Sequence, residues 1–267
     1  MAKTAVFVHG AWMTPRCWEQ FVGLFQQKGY RCVVPTWPHK DRPIDELRRA
    51  PPPELAGLGV TEIVDHYARI IEALDEPPAL IGHSFGGLFV QLLLDRGLGR
   101  AAVAIDSAPP KGVIPWQWSA LRSNAGVLFT WRGWERIVPL SFPQFQYAIA
   151  HTLPPAAQEA AYERNVVPET GRIFFQAAFS LLDAHDAVRV NFANAKRAPL
   201  LLIAGSEDHI IPAGLNRSNY VKYRGSAART DFKEFPGRTH WIIAQDGWEE
   251  VAGYVASWLE EVQGGQA

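Results

Sequence analysis

The stretch PALIGHSFGG, residues 78–87, decides the fold. A short apolar run leads into the pentapeptide GHSFG, and an apolar helical pattern, FGGLFVQLLLDRG, begins immediately after its serine. Glycines two residues before and after a serine, between a strand and a helix, form a nucleophile elbow. Its strained backbone raises the serine hydroxyl above the sheet, and Gly82 and Gly86 are small because the chain nearly touches itself there. The pattern predicts Ser84 as a nucleophile, and Gly87 lets the helix start close to the strand.

Short β-branched runs bounded by glycine or proline recur along the chain. They are TAVFVHG, RCVVPTWP, PALIGHS, AAVAIDSAPP, PLLLIAGSED and RTDFKEFPG. Their near-continuous hydrophobicity is typical of parallel strands buried on both faces, and amphipathic helical patterns lie between several of them. This alternation predicts an α/β fold with a mainly parallel central sheet flanked by helices.

The alternation stops after the strand that ends near Asp106 and resumes near Pro199. The interval is rich in tryptophan, phenylalanine and proline, which indicates short helices laid over the sheet. We therefore expect residues 1–110 and 199–267 to form the core and residues 111–198 to form a helical cap.

Composition limits the classes of partner. The 267 residues carry 26 Lys+Arg against 27 Asp+Glu, so the chain has neither a nucleic-acid nor an anionic-membrane footprint. Two cysteines form no disulfide framework, and no apolar run approaches the ~18–20 residues of a membrane helix. We expect a cytoplasmic protein with no nucleic-acid or membrane partner; the oligomeric state cannot be derived from these features.

No glycine motif for phosphates or dinucleotides is evident, and no cluster of histidine, cysteine and carboxylate residues has metal-site spacing. We therefore expect neither a cofactor nor a metal ion. An apolar small molecule remains the expected partner.

A serine nucleophile needs a basic imidazole, and the imidazole needs a carboxylate that fixes its tautomer. The motif LLIAGSED ends a strong strand and presents Asp208 in the following loop, and EFPGRTH offers His240 after the last strand. We predict a triad of Ser84, His240 and Asp208. Two other carboxylates could serve as the acid: Glu207 in the same loop and Asp106 on the preceding strand.

Three other histidines lie in or beside these motifs. His9 and His83 are expected to hydrogen-bond the loops near the serine, and His209 is expected to be a loop residue beside the acid. Asp246 is expected near the start of the last helix, where the helix dipole favours a carboxylate.

The chain resembles cap-bearing members of the α/β-hydrolase fold superfamily. The resemblance is carried by four motifs taken together: VFVHGAW, GHSFGG, AGSED and GRTHW. The resemblance covers nearly the whole chain and implies an order of serine, acid and histidine that agrees with the triad above. It also implies that the backbone N–H groups of Ala11 and Phe85 form the oxyanion hole. Haloalkane dehalogenases and epoxide hydrolases carry aspartate at the elbow, and dienelactone-hydrolase-like enzymes carry cysteine, so Ser84 favours acyl transfer to water.

The expected function is that of a serine hydrolase of the carboxylesterase or lactonase type. Substrate-binding candidates are the tryptophan beside the oxyanion loop and three in the cap: Trp12, Trp116, Trp131 and Trp134. The aromatic-rich cap favours medium-length or cyclic apolar acyl groups over acetate. Alternatives are a cofactor-free perhydrolase or haloperoxidase, a thioesterase, and, from another class, a hydrolase-like small-molecule receptor.

Overall fold

The computed structural model describes residues 3–264, without the side chain of Gln263, and is built around a parallel sheet. The elements before the interruption are, in chain order, β1 (Lys3–Val8), α1 (Glu19–Gln27), β2 (Tyr30–Val33), α2 (Ile44–Arg49), α3 (Val60–Glu72), β3 (Ala79–His83), α4 (Phe85–Asp95) and β4 (Ala101–Ile105). Those of the interval 111–198 are α5 (Trp118–Leu128), β5 (Ile137–Val138), α6 (Phe142–Ala148), α7 (Pro155–Asn165), β6 (Glu169–Thr170) and α8 (Arg172–Ala178). Those after it are β7 (Leu200–Gly205), α9 (Ala213–Lys222), β8 (Thr230–Phe235) and α10 (Trp248–Gly264).

The central sheet has the order β2-β1-β3-β4-β7-β8, and every neighbouring pair in it is parallel. Each of the apolar runs picked out from the sequence overlaps one of these strands, so the prediction of a mainly parallel sheet is confirmed. Because the strands are parallel, the loops after β1, β3, β4, β7 and β8 meet at one edge of the sheet.

The strands at the centre of the sheet are buried on both faces. All residues of β3, β4 and β7 are buried; α4 packs against β3 and β4, α9 packs against β7, and α3 packs against α4. In α3 the buried face includes Ile63, Tyr67 and Ile71, spaced as one stripe of a helix. Among residues 3–264, no helix has both the length and the hydropathy needed to cross a membrane.

The interval 111–198 contains helices α5–α8 and also a feature that the sequence analysis missed. Strands β5 and β6 pair antiparallel, with Ile137 opposite Thr170 and Val138 opposite Glu169. Two-residue strands carry too little periodicity to be read from sequence.

Candidate active site

Ser84 lies between β3 and α4 in a strained backbone conformation, with φ 58° and ψ −122°. The glycines around it are required by close backbone contacts. A Cβ on Gly82 would lie 2.1 Å from the Gly86 carbonyl oxygen, and a Cβ on Gly86 would lie 2.0 Å from the Val8 carbonyl oxygen. These distances leave no room for a side chain, which is the physical basis of the GHSFG pattern.

The loop after β1 runs directly against the serine. A Cβ on Gly10 would lie 2.6 Å from Ser84 Cβ, so the glycine permits this approach. Ala11, next in the loop, and Phe85, the first residue of α4, both line the cavity that contains Ser84. Neither backbone N–H is hydrogen-bonded within residues 3–264, so both can donate to an oxygen atom in the cavity.

Trp12, in the same loop, hydrogen-bonds to the interval 111–198 through its backbone N–H, its backbone carbonyl and its indole N–H. Its backbone N–H donates to Glu169 Oε2 at 3.1 Å, its indole N–H donates to the Val138 carbonyl at 3.1 Å, and its carbonyl accepts the Val167 N–H at 2.8 Å. Lys40 Nζ also binds Glu169 Oε2, at 2.6 Å, and both side chains are fully buried. The fold of residues 111–198 therefore sets the position of the loop beside Ser84.

His240 and Asp208 form a buried pair. His240 Nδ1 donates to Asp208 Oδ2 at 2.6 Å, while Asp208 Oδ1 accepts the backbone N–H groups of Ile210 and Ile211, each at 2.8 Å. With the hydrogen on Nδ1, the Nε2 atom of a neutral imidazole is free to accept a proton.

Backbone contacts bring the two loops of this pair together. A Cβ on Gly205 would lie 2.4 Å from the Arg238 carbonyl oxygen, and the Glu207 N–H donates to that carbonyl at 2.8 Å. Gln245 Oε1 accepts both the N–H and the hydroxyl of Thr239 at 2.8 Å, which holds the residue before His240.

His83 connects the pair to the elbow. It precedes Ser84, its Nε2 donates to the His240 carbonyl at 2.8 Å, and the two imidazole rings lie 4.5 Å apart. Burial, and secondarily the neighbouring His240, lower the pKa of His83 well below its usual value, so it is neutral. It therefore serves as a hydrogen-bond donor beside the serine.

The other carboxylate and histidine candidates lie in different environments. Glu207 is exposed, and Asp106 is fully buried and accepts the Gly205 N–H at 2.8 Å. His9 stacks on Trp37 at 4.9 Å, with its pKa lowered by burial and then by Lys40. His209 bonds the Tyr147 carbonyl at 2.9 Å and stacks on His151.

Three buried residues, His83, Asp106 and His240, place nitrogen and oxygen atoms within 4.8 Å of one another, a spacing that can hold a metal ion. However, His83 Nε2 and His240 Nδ1 each carry a hydrogen that is already donated, to a carbonyl and to Asp208. These two nitrogens are therefore committed to hydrogen bonds, and the free lone pairs of the two rings are on His83 Nδ1 and His240 Nε2.

Ser84 lies in an apolar cavity of about 90 Å³ between the sheet edge and the interval 111–198. Helix α5 lines it with Ala120, Leu121, Asn124 and Leu128; helix α8 lines it with Phe174, Ala177 and Ala178; and the core adds Ala11, Trp12, Phe85, Ala108, Pro109, Ile210, Ile211 and Leu215. Trp12 also packs on Phe174, with ring centroids 4.5 Å apart. Trp12 is thus part of the cavity wall.

The three other predicted tryptophans are not among the lining residues. Trp116 is 75% exposed, Trp131 is 77% exposed and Trp134 is 44% exposed. They precede or follow α5, whose inward face is made by smaller residues one and two turns apart. Ala120, Asn124 and Leu128 are four residues apart, so they lie on one face of a helix. This spacing in the sequence could have indicated the face of α5 that lines the cavity.

A larger groove, of about 410 Å³, lies between α7 and the segment before α1. Its walls include charged residues such as Arg16, Glu19 and Arg164, and Ser84 is not among its lining residues. The smaller cavity is therefore the candidate site, because it holds Ser84 in its strained conformation.

Comparisons with known proteins agree with the fold described above. A family model for the alpha/beta hydrolase family matches residues 5–253. No curated protein sequence matches the chain significantly.

Solved structures share the fold at low sequence identity. A monoacylglycerol lipase from Paleococcus ferrophilus superposes with a TM-score of 0.68 at 22% identity, covering 97% of this chain and 94% of that one. An extracellular alpha/beta-hydrolase from a Paenibacillus species gives 0.69 at 18% identity, covering 96% and 98%. Polyneuridine aldehyde esterase gives 0.67 at 15% identity, in an H244A mutant, covering 96% and 99%. Likeness at these identities shows the fold alone.

Proposed function

Because the chain belongs to the alpha/beta hydrolase family, we propose that it is a serine hydrolase that cleaves a carboxylic ester or lactone of an apolar small molecule. The observation that carries this proposal is the buried His240–Asp208 pair beside the strained Ser84 at the wall of an apolar cavity. The esterase and lipase among the structural neighbours support the reaction class.

In the proposed reaction, Ser84 Oγ forms a bond to the substrate carbonyl carbon while its proton passes to His240 Nε2. Asp208 stabilises the resulting imidazolium, and the N–H groups of Ala11 and Phe85 stabilise the carbonyl oxygen as it becomes negative. His240 then gives the proton to the departing alkoxide as the C–O bond breaks. Water attacks the acyl-enzyme in the same way, with His240 as base, and releases the acid and Ser84.

The cavity volume limits the acyl group. A cavity of about 150 Å³ is known to hold one benzene, and this one measures about 90 Å³. The cavity therefore favours shorter acyl groups than the medium-length ones expected from the aromatic content of residues 111–198. Each methylene that fits contributes about 0.8 kcal/mol, roughly fourfold in kcat/KM, and the gain ends when the cavity is full.

The test combines active-site labelling with an ester series. A fluorophosphonate should label the wild type and not Ser84→Ala, and p-nitrophenyl esters from acetyl to decanoyl should give a kcat/KM maximum at short chains. Ala177→Leu, which adds volume to the cavity wall, should move the maximum toward acetyl. Trp131→Ala, a control at an exposed position, should leave it unchanged.

The alternative functions give different outcomes in the same assay. Faster turnover of acyl thioesters than of matched oxygen esters would favour a thioesterase, and halide oxidation dependent on peroxide and a carboxylic acid would favour a perhydrolase. Phosphonate labelling combined with tight ligand binding and negligible turnover would favour a receptor. A wild type that neither reacts at Ser84 nor hydrolyses any ester would contradict the proposal.

A further inference from the structure

A second carboxyl group lies beside the His240–Asp208 pair. Asp106 is fully buried at the end of β4, with a positive φ of 43°, a conformation that costs free energy in a residue other than glycine. Its Oδ1 accepts the Gly205 N–H at 2.8 Å, and its carboxyl group lies close enough to Asp208 for the negative charge of Asp208 to act on it. Two ionised carboxylates are both acceptors, so a hydrogen bond between these two carboxyl groups requires a proton on one of them.

Asp208 is already committed as an acceptor on both oxygens. Oδ2 takes the hydrogen of His240 Nδ1, and Oδ1 takes two backbone N–H groups. Asp106 Oδ2, in contrast, is buried and is bonded to no N–H or hydroxyl donor within residues 3–264. Asp208 is therefore the better stabilised anion, and the proton belongs on Asp106.

The charged and titratable groups that face Asp106 come from three segments. They are His83 at the end of β3, Asp208 in the loop after β7 and His240 in the loop after β8. None carries a permanent positive charge that would stabilise a second anion. Burial, and secondarily the negative charge of Asp208, raise the pKa of Asp106 well above its usual value.

We propose that Asp106 is a positioning residue that stays protonated and donates a hydrogen bond to Asp208, so that the two carboxyl groups share one proton and one negative charge. This inference rests on the proposed function, in which Asp208 orients His240. A neutral acid adds a donor to Asp208 without adding charge. A second anion so close to His240 would stabilise the protonated imidazolium. It would therefore reduce the fraction of His240 that is available as a base at neutral pH.

Asp106→Asn tests the charge state, because asparagine is neutral, has nearly the same shape, and can donate to Asp208 and accept from Gly205. We expect the acid-limb midpoint of kcat/KM, which reports the titration of His240, to match that of the wild type. If Asp106 were ionised, removing its charge from within 4.8 Å of His240 would lower that midpoint by about two pH units and overturn the proposal.

Asp106→Leu tests the donor. It fills the site without a polar group and should lower kcat by about 10- to 100-fold with little change in KM. Asp106→Asn should recover most of that loss. If both variants lose kcat equally, the donor role is wrong.

Infrared spectroscopy of the wild type gives a measurement that needs neither a variant nor a substrate. At neutral pH we expect the carbonyl stretch of a protonated carboxylic acid, which disappears only on alkaline titration and is missing in Asp106→Asn. Absence of this band in the wild type would overturn the proposal even if esters are hydrolysed. If the band is present but the protein hydrolyses no ester, the protonated state of Asp106 is supported and the proposed hydrolase function is contradicted.

Discussion

Among single residues, Glu207 and Asp208 show how burial separates two adjacent carboxylates. Asp208 is 3% exposed and accepts hydrogen bonds from His240, Ile210 and Ile211, whereas Glu207 is exposed. In the proposed triad, only a buried and oriented carboxylate can hold the imidazole tautomer through the reaction.

We expect Asp208→Asn to fold and to lower kcat by up to about 10⁴, because an amide beside Nδ1 favours the wrong imidazole tautomer. Glu207→Gln, the matched control at the neighbouring position, should change kcat less than about twofold. Steady-state kinetics with a p-nitrophenyl ester and thermal unfolding of both variants measure this. A larger loss in the Glu207 variant would transfer the acid role to that residue.

At the scale of elements, glycines in two helices have opposite roles. Gly86 in α4 lies against the Val8 carbonyl of β1, while Gly23 in α1 has no atom within 4 Å of the place where a Cβ would be. The first glycine allows a helix to approach a strand, and the second only weakens its own helix.

Gly86→Ala should lower the free energy of unfolding by about 3 kcal/mol or more, because β1 and α4 must separate to admit a methyl group. Gly23→Ala should raise it by about 0.5–1 kcal/mol through helix propensity. Chemical denaturation measures both. If the two variants change the free energy of unfolding equally, the close contact between Gly86 and Val8 does not exclude a methyl group.

The buried Lys40–Glu169 pair joins the core to β6, next to the Trp12 N–H. Lys40→Met or Glu169→Gln alone leaves one uncompensated buried charge and should lower the free energy of unfolding by about 3–5 kcal/mol. The double variant should recover much of that loss, since no charge remains and glutamine still offers an oxygen to Trp12. Additive losses in a double-mutant cycle would refute the coupling.

At the scale of the whole molecule, buried neutral histidines make stability depend on pH. Burial lowers the folded-state pKa of His9, and of His83, well below the usual value. Below about pH 6.5 the unfolded chain takes up protons that the folded chain does not, so stability falls as the pH falls. Asp106 acts in the opposite direction, because its raised pKa favours the folded state at low pH.

His9→Gln should therefore make the free energy of unfolding less sensitive to pH below about pH 6.5. The slope should decrease by about 1.4 kcal/mol per pH unit, the equivalent of one proton, while the contribution of Asp106 is common to both proteins and cancels. Denaturant titrations at several pH values measure both slopes. Identical slopes would mean that His9 is protonated in the folded state.

The sequence by itself determined the parallel sheet and the position of the serine. Continuous apolar runs are local signals, and the glycines at 82 and 86 carry the elbow because the contacts that exclude a Cβ lie within a few residues and one neighbouring strand. The proposed places of Asp208 and His240 also follow from local order, since each comes directly after a strand and parallel strands end at one edge.

Only the tertiary structure decided which side chains meet across long separations. Three contacts join segments about a hundred residues or more apart: Asp106 lies near Asp208, Lys40 pairs with Glu169, and the Trp12 indole N–H binds the Val138 carbonyl. The exposure of Trp116 and Trp131 was equally hidden, because an aromatic side chain has the same composition signal in a cavity wall and on a surface. Burial and partner depend on how separate elements pack, and no local pattern encodes that.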